Sequence, residues 1–291
     1  MLERYFTPYQ SSCAVTGDRV AILAPHPDDE IFGCGGSACK WAEQGKRVQS
    51  FILTDGVVTG EFDDQPDAFQ KRQAKAELRA NESRSAARLL NLPEPEYLHG
   101  QDGALWDDQN IEQQLRDRLH EWRPTTLVAP SVWEMHRDHR ATAEMAIRLA
   151  QHLPTLESLC FYEIGVPLMA NALEDISSYQ ARKWQAMRCF HSQLATQNYA
   201  QQINGLNVYR TYTLGMDTSA VEAFHCIPIQ NLDAFQRRNA PDQTSFTLRN
   251  AEQKADQQQR RIHELEHMLY QMHRSRSWRL TKPLRWLNKF L

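Results

Sequence analysis

The stretch HPDDE at 26–30 places His26, Asp28, Asp29 and Glu30 within five positions, directly behind the apolar run RVAILAP and just ahead of Gly33, Gly35 and Gly36. A second cluster, HRDH at 136–139, follows another apolar run, TTLVAPS. Imidazole and carboxylate side chains together suit zinc or a similar divalent ion. Three protein ligands leave a position for water, and water on such an ion loses its proton near neutral pH and becomes a nucleophile. A nearby carboxylate that is not a ligand can accept that proton. Two adjacent aspartates can divide these tasks, because neighbours in a turn point different ways. Either cluster alone reads more readily as a capped polar loop than as a site of chemistry. Their occurrence at the ends of two strands points to one shared metal site.

A rival reading attaches to the glycines. Gly33, Gly35 and Ala38 satisfy a G-x-G-x-x-G/A pattern, and Asp55 ends the following apolar run. That is the fingerprint of a dinucleotide-binding turn, with the aspartate on a ribose. HPDDE intervenes between strand and glycines, however, and would set three carboxylates beside a pyrophosphate, where they repel it. The glycines are read instead as room for a helix to close behind the charged loop.

The elements that must position these groups are legible from patterning. RVAILAP (19–25) and RVQSFILTDG (47–56) read as strands, with a helix over 35–45 between them closed by Gly45. A long helix is expected over 69–92, stopped before Pro93, followed by a short strand EYLHG. Ile111, Leu115, Leu119 and Trp122 recur at helical spacing. TTLVAPS (125–131) reads as a buried strand, RDHRATAEMAIRLAQHL as a helix and LESLCFYEIG as a strand. Residues 176–215 read as mostly helical, and AVEAFHCIPI ends the compact part. This alternation predicts an α/β fold, a Rossmann-like, mostly parallel sheet with flanking helices, plus a C-terminal helical extension. In such a sheet the C-terminal strand ends face one crevice, which brings the two clusters together.

With 291 residues, 41% apolar and 24% charged, the composition is that of a soluble globular protein. Six cysteines without a CxxC pair suggest free thiols in a reducing compartment. No stretch approaches the roughly 20 apolar residues of a membrane span, and the first residues lack a signal-peptide core. A cytoplasmic location is expected. The net charge of −3 conceals an asymmetry, because residues 274–291 carry six cations and no acid, leaving −9 for the rest. Nucleic acid is not expected as a partner of so acidic a body. The expected organisation is a catalytic domain over 1–229, a polar and partly coiled-coil helical segment over 230–273, and a basic amphipathic tail over 274–291. The segment carries a heptad-like seam at Ala251, Ala255, Gln258, Ile262, Leu265, Leu269 and Met272.

PHPDDE followed by glycines, and then HRDH, resembles the PIG-L/LmbE family of zinc-dependent sugar de-N-acetylases. ELRANESRSAARLLNL, YLHGQDGAL, YEIGVP, ARKWQAMRCFHSQ and VEAF extend the resemblance over about residues 19–228. It implies that His26, Asp29 and His139 hold zinc, or another divalent transition metal such as iron(II). It implies Asp28 as the general base, and His136 as the group that polarises the amide carbonyl, steadies the oxyanion and protonates the departing amine. Asp138 is implied to orient His136, and Arg79 and Asp102 to contact the sugar. The family's second motif usually reads HPDH, whereas Arg137 stands here, either altering the turn or adding a positive group near an anionic substrate. Glu30 reads as a support for a ligand histidine or as a helix cap. His99, His120, His152, His191 and His225 read as ordinary surface or core residues, and the acidic loop 61–67 as solvated.

The ending SRSWRLTKPLRWLNKFL resembles the S-x-SW-R-x-T-x-PLR endings of bacterial glycosyltransferases of surface-polysaccharide synthesis. Mixed cations and aromatics can lie on an anionic membrane surface or dock on the body. The implied activity is removal of acetyl from an N-acetylhexosamine unit of a bacterial cell-surface glycoconjugate, a lipopolysaccharide or lipid-linked precursor, peripherally at the inner face of the plasma membrane and with glycosyltransferases as partners. The alternatives are the same hydrolysis on a small-molecule metabolite, and a non-catalytic membrane-associated scaffold.

Overall fold

The computed structural model describes residues 7–239 and 243–274. The tail expected over 274–291 lies outside them, apart from Arg274. Among the described residues a sheet of seven strands forms in the order β3-β2-β1-β4-β5-β7-β6. Its members are β1 (Arg19–Ala24), β2 (Arg47–Val58), β3 (Glu96–Asp102), β4 (Thr126–Pro130), β5 (Ser158–Tyr162), β6 (Ala172–Asp175) and β7 (Val221–Pro228). The pairs from β3 through β5 are parallel, and β7 runs antiparallel to both β5 and β6. Val20–Ala24 of β1 and all of β4 are buried, as expected of strands covered on both faces. The expected α/β sheet is therefore present. β6 escaped the sequence reading because four residues carry too little pattern, and its buried Glu174 breaks what apolar run there is.

The helices are α1 (Asp29–Glu43), α2 (Ala68–Leu89), α3 (Gln109–Trp122), α4 (Arg137–Ala150), α5 (Gln180–Met187), α6 (His191–Leu194), α7 (Tyr199–Tyr209), α8 (Leu232–Arg238) and α9 (Gln243–Arg274). The chain divides into two units, Met1–Asp233 and Ala234–Leu291. In the second, α9 is a 32-residue helix on which Ile262, Leu265 and Leu269 are exposed. No helix among the described residues is long and apolar enough to cross a membrane.

The chain order explains the site. From β1 the sheet grows through β2 and β3 in one direction and through β4 and β5 in the other. The gap between the C-terminal ends of β1 and β4 is thus the point where the winding reverses, where open α/β sheets bind ligands. HPDDE leaves β1 there, and HRDH follows β4.

α1 starts at Asp29, six residues before the expected start, so the charged motif becomes the helix's first turn. Acidic residues are favourable at that end of the helix dipole. The glycines lie inside the helix rather than in a phosphate-binding turn. A Cβ on Gly33 would fall 2.2 Å from Tyr162 Cδ2, and one on Gly36 2.8 Å from Ile176 Cδ1. Both glycines therefore permit close approach to α1, of Tyr162 in β5 and of Ile176 just after β6.

α1 also breaks at Cys34, where φ is −143° and ψ 22°. A buried break orphans backbone groups, which cost free energy unless paired. Lys183 and Glu222 meet this need from α5 and β7. Lys183 Nζ donates to the Phe32 carbonyl at 2.9 Å, while Glu222 accepts from Gly36 N and Ser37 N at 2.9 and 2.7 Å. The two charges lie 2.6 Å apart, and Asn207 Oδ1 accepts another Lys183 hydrogen bond. Both side chains are fully buried. The pair thus satisfies backbone groups on both sides of the break.

Candidate metal centre

His26, at the exit of β1, is buried, and its backbone N–H donates to Asp29 Oδ2 at 3.0 Å. The same carboxylate oxygen lies 3.0 Å from His26 Nδ1 and 3.3 Å from His139 Nε2. Asp29 therefore joins the β1 cluster to the β4 cluster. His139 sits in the first turn of α4, and His136 is that helix's N-cap, its Nδ1 accepting from Asp138 N at 3.3 Å. Ring centroids of His26, His136 and His139 lie 4.8 to 5.5 Å apart. Nitrogens of all three rings lie within 4.8 Å of one another, as do ligand atoms of His26, Asp102 and Asp138.

The residues fit a cation. His26 Nε2 and Asp138 Oδ1 are buried and make no hydrogen bond, a costly arrangement for a site that binds nothing. Carboxylates crowd the rings. His26 Nε2 has Asp102 Oδ1 and Asp138 Oδ2 each at 3.5 Å. Burial opposes charge on His26, but Asp102, Asp138 and Asp29 outweigh it and hold the ring well above its ordinary range. Burial likewise opposes charge on His139, and Asp29 with Glu134 brings it up to about 9. Asp29, against its own burial, is held well below the usual carboxylate range by His139 and His26. A divalent ion can replace those imidazolium protons. Histidine and carboxylate donors suit zinc and its neighbours.

Asp28 is tied to Arg79 of α2. Its Oδ2 lies 2.8 Å from Arg79 Nη2, and Arg79 also donates to the Gly56 carbonyl. Burial pushes Asp28 up to about 6, against the pull of Arg79. Arg79 is itself buried, and Asp102 faces His26. Both residues, implied as sugar contacts, are thus placed against the candidate machinery. Glu30 is a cap, accepting from Asp28 N at 3.1 Å and from Ser83 Oγ at 2.7 Å.

Asp138 meets His136 through its backbone N–H. Its carboxylate Oδ2 accepts from Gly103 N at 2.6 Å and lies 3.5 Å from His26 Nε2. Arg137 donates to the carbonyl of the same Gly103. Arg137 is the first residue of α4, a position that favours proline. Its exchange for arginine therefore leaves the helix start intact and adds a clasp on the turn after Asp102.

Glu134 was missed from the sequence. It is buried, and its Oε2 lies 3.4 Å from His139 Nδ1. Its Oε1 accepts from Ile164 N at 2.8 Å, Gly165 N at 3.1 Å and Val166 N at 3.3 Å. A carboxylate behind a ligand histidine fixes the ring's tautomer and orientation. The signal was present as an acid two residues ahead of His136 beside the noted stretch YEIGVP, but nothing local joins them.

Residues 21–150 match the PIG-L family, described as GlcNAc-PI de-N-acetylase. The matched span contains both clusters. The chain is also similar to a protein of Bacillus anthracis named as a probable N-acetyl-alpha-D-glucosaminyl L-malate deacetylase 2, 24% identical over 191 residues, covering 61% of this chain and 82% of the relative. Among solved structures, the fold is similar to that of an N,N'-diacetylchitobiose deacetylase from Pyrococcus horikoshii. That likeness has a TM-score of 0.65 at 22% identity, over 79% of this chain and 91% of that one. It is also similar to GalB, the 4-carboxy-2-hydroxymuconate hydratase of Pseudomonas putida, with a TM-score of 0.61 at 17% identity over 72% and 96%. Proteins named as a deacetylase and as a hydratase thus share this fold, and activity has to be argued from the site.

Proposed function

We propose that the protein is a metal-dependent amide hydrolase that removes the acetyl group from an N-acetylhexosamine unit and releases acetate. The observation that carries this reading is Asp29 Oδ2 lying between His26 Nδ1 and His139 Nε2, at 3.0 and 3.3 Å, with His136 exposed beside them. His26, Asp29 and His139 would hold the ion, zinc or another divalent metal such as iron(II), and the ion supplies Lewis acidity toward the amide carbonyl and the attacking water.

The protein's own groups do the rest. Asp28 accepts the proton of the water whose oxygen adds to the acetamide carbon, and Arg79 on Oδ2 leaves Oδ1 for that proton. Burial lowers His136 below its ordinary range, which favours the neutral ring. With Nδ1 accepting from Asp138 N, the ring N–H sits on Nε2 and hydrogen-bonds to the oxyanion. The C–N bond then breaks as the amine nitrogen takes the proton that Asp28 received from the water, and acetate and the free amino sugar leave. Asp102 and Asp138 orient His26, and Glu134 orients His139.

The family match over 21–150 and the named activities of the B. anthracis and P. horikoshii proteins support an N-acetylated amino sugar as substrate. We extend this to a cell-surface glycoconjugate precursor, with the basic tail over 274–291 touching a membrane and glycosyltransferases as partners. The support is the tail's six cations and its aromatics. The test is acetate release by metal-loaded protein across free, nucleotide-linked and lipid-linked N-acetylglucosamine. Release from none of them rules the reading out. Sedimentation with anionic vesicles, with and without residues 274–291, tests the tail.

A further inference from the structure

Three large apolar side chains of α9 stand in water on one line. Ile262, Leu265 and Leu269 are exposed at 48, 44 and 50%. Spaced three and four residues apart, they fill successive a, d and a positions of a heptad. Gln258 holds the d position before them, and Ala255 the a position before that. Helices in proteins owe most of their stability to packing of an apolar face rather than to propensity. A 32-residue helix with such a face in solvent is therefore half of an interface.

The seam itself defines the other half. An a/d stripe is self-complementary. When two copies lie parallel and in register, Ile262, Leu265 and Leu269 each meet the same residue of the second copy. Gln258 then meets Gln258, and two amides supply each other with donor and acceptor. A slip of one heptad would bury Gln258 against Leu265 and leave its amide unpaired. A β-branched residue at a with leucine at d also favours two strands.

The flanking charges choose the direction. In the parallel pair Arg261, at a g position, stands opposite Glu266 of the second copy, at an e position, and this contact occurs on both sides of the seam. Both residues are exposed and free to reach across. An antiparallel pair that kept Leu265 against Leu269 would instead set Glu266 against Glu266, where like charges repel.

We infer that α9 is a dimerisation element. A second copy of this chain covers Ile262, Leu265 and Leu269 in a parallel, in-register, two-stranded coiled coil.

The test is sedimentation equilibrium of the full chain between about 1 and 100 μM. The wild type should reach twice its 33.7 kDa mass. Leu265→Gln/Leu269→Gln retains good helix formers and alters only exposed side chains, and it should raise the dissociation constant more than about tenfold. Arg261→Glu and Glu266→Arg should each raise it about fivefold. Combined, they should restore it to within about twofold of the wild type, because the attraction returns with its signs exchanged. The contact of Arg261 with Glu264 at 2.9 Å lies within one helix, so it enters monomer and dimer alike. In an antiparallel pair the charge exchange rescues nothing. A wild type that stays monomeric or forms trimers, association that survives the double glutamine variant, or a charge exchange without rescue overturns the proposal.

Discussion

The Arg79 guanidinium lies 2.8 Å from Asp28 Oδ2, and both groups are buried. One cation thus steadies a carboxylate whose burial drives it toward protonation. Asp28→Asn should lower kcat by about 10²–10⁴ while metal content, measured by elemental analysis, stays at the wild-type ratio. Turnover near the wild-type rate would remove Asp28 from its role. Arg79→Met should lower kcat as well, and Arg79→Lys should restore part of it by returning the charge.

Glu134 stands behind His139 and anchors the loop after β5. Glu134→Gln keeps the shape and removes the charge. Metal affinity, read by competition with a chromophoric chelator, should fall about 10- to 100-fold. An unchanged affinity would show that His139 needs no partner at Nδ1.

Arg137 can be tested by restoring the residue that the resemblance leads one to expect. Arg137→Pro suits the first position of α4 but loses the bond to the Gly103 carbonyl. KM should rise while the urea midpoint changes little. Arg137→Ala, which lacks the proline's benefit, should lose about 1 kcal/mol. A KM unchanged in both variants would confine Arg137 to the surface.

Lys183 and Glu222 are a fully buried pair. Lys183→Met strands a carboxylate in the core and should cost about 3–5 kcal/mol in urea unfolding. Lys183→Met/Glu222→Gln should recover part of that loss, because no bare charge remains. A double variant as unstable as the single would show that hydrogen bonds to the α1 break, rather than charge balance, dominate.

The crowded carboxylates around His26 predict a response to metal. Removing the ion with a chelator should lower Tm, and zinc at about a hundredfold above its Kd should add roughly 2.7 kcal/mol. A Tm indifferent to zinc in calorimetry would argue against a resident ion.

The parts of this site that were legible in the sequence are those whose partners lie close by in the chain. HPDDE and HRDH each sit within five residues behind an apolar run, so composition and topology together joined them. Glu134, Lys183 and Glu222 were not legible. Glu134 meets backbone N–H groups about thirty residues away, and Glu222 reaches Gly36 across 186 positions. Patterning over short windows carries no trace of such pairs. Residue types also do not reveal which way a side chain turns. The Asp138 carboxylate accepts from Gly103 N, and Arg79 pairs with Asp28. The start of α1 was misplaced for a related reason: acids that look like loop residues are favourable in a first helical turn.

The break in α1 sets a lower limit on the size of a working protein. The family match ends at residue 150, but the groups that complete the broken helix come from positions 183 and 222. A fragment cut at the match would leave the Phe32 carbonyl and the Gly36 and Ser37 amides without their partners. It would also strip Tyr162 from Gly33 and the 164–166 backbone from Glu134. The smallest autonomous catalyst obtainable from this chain therefore has to extend through β7, and shortened versions should be designed from that end.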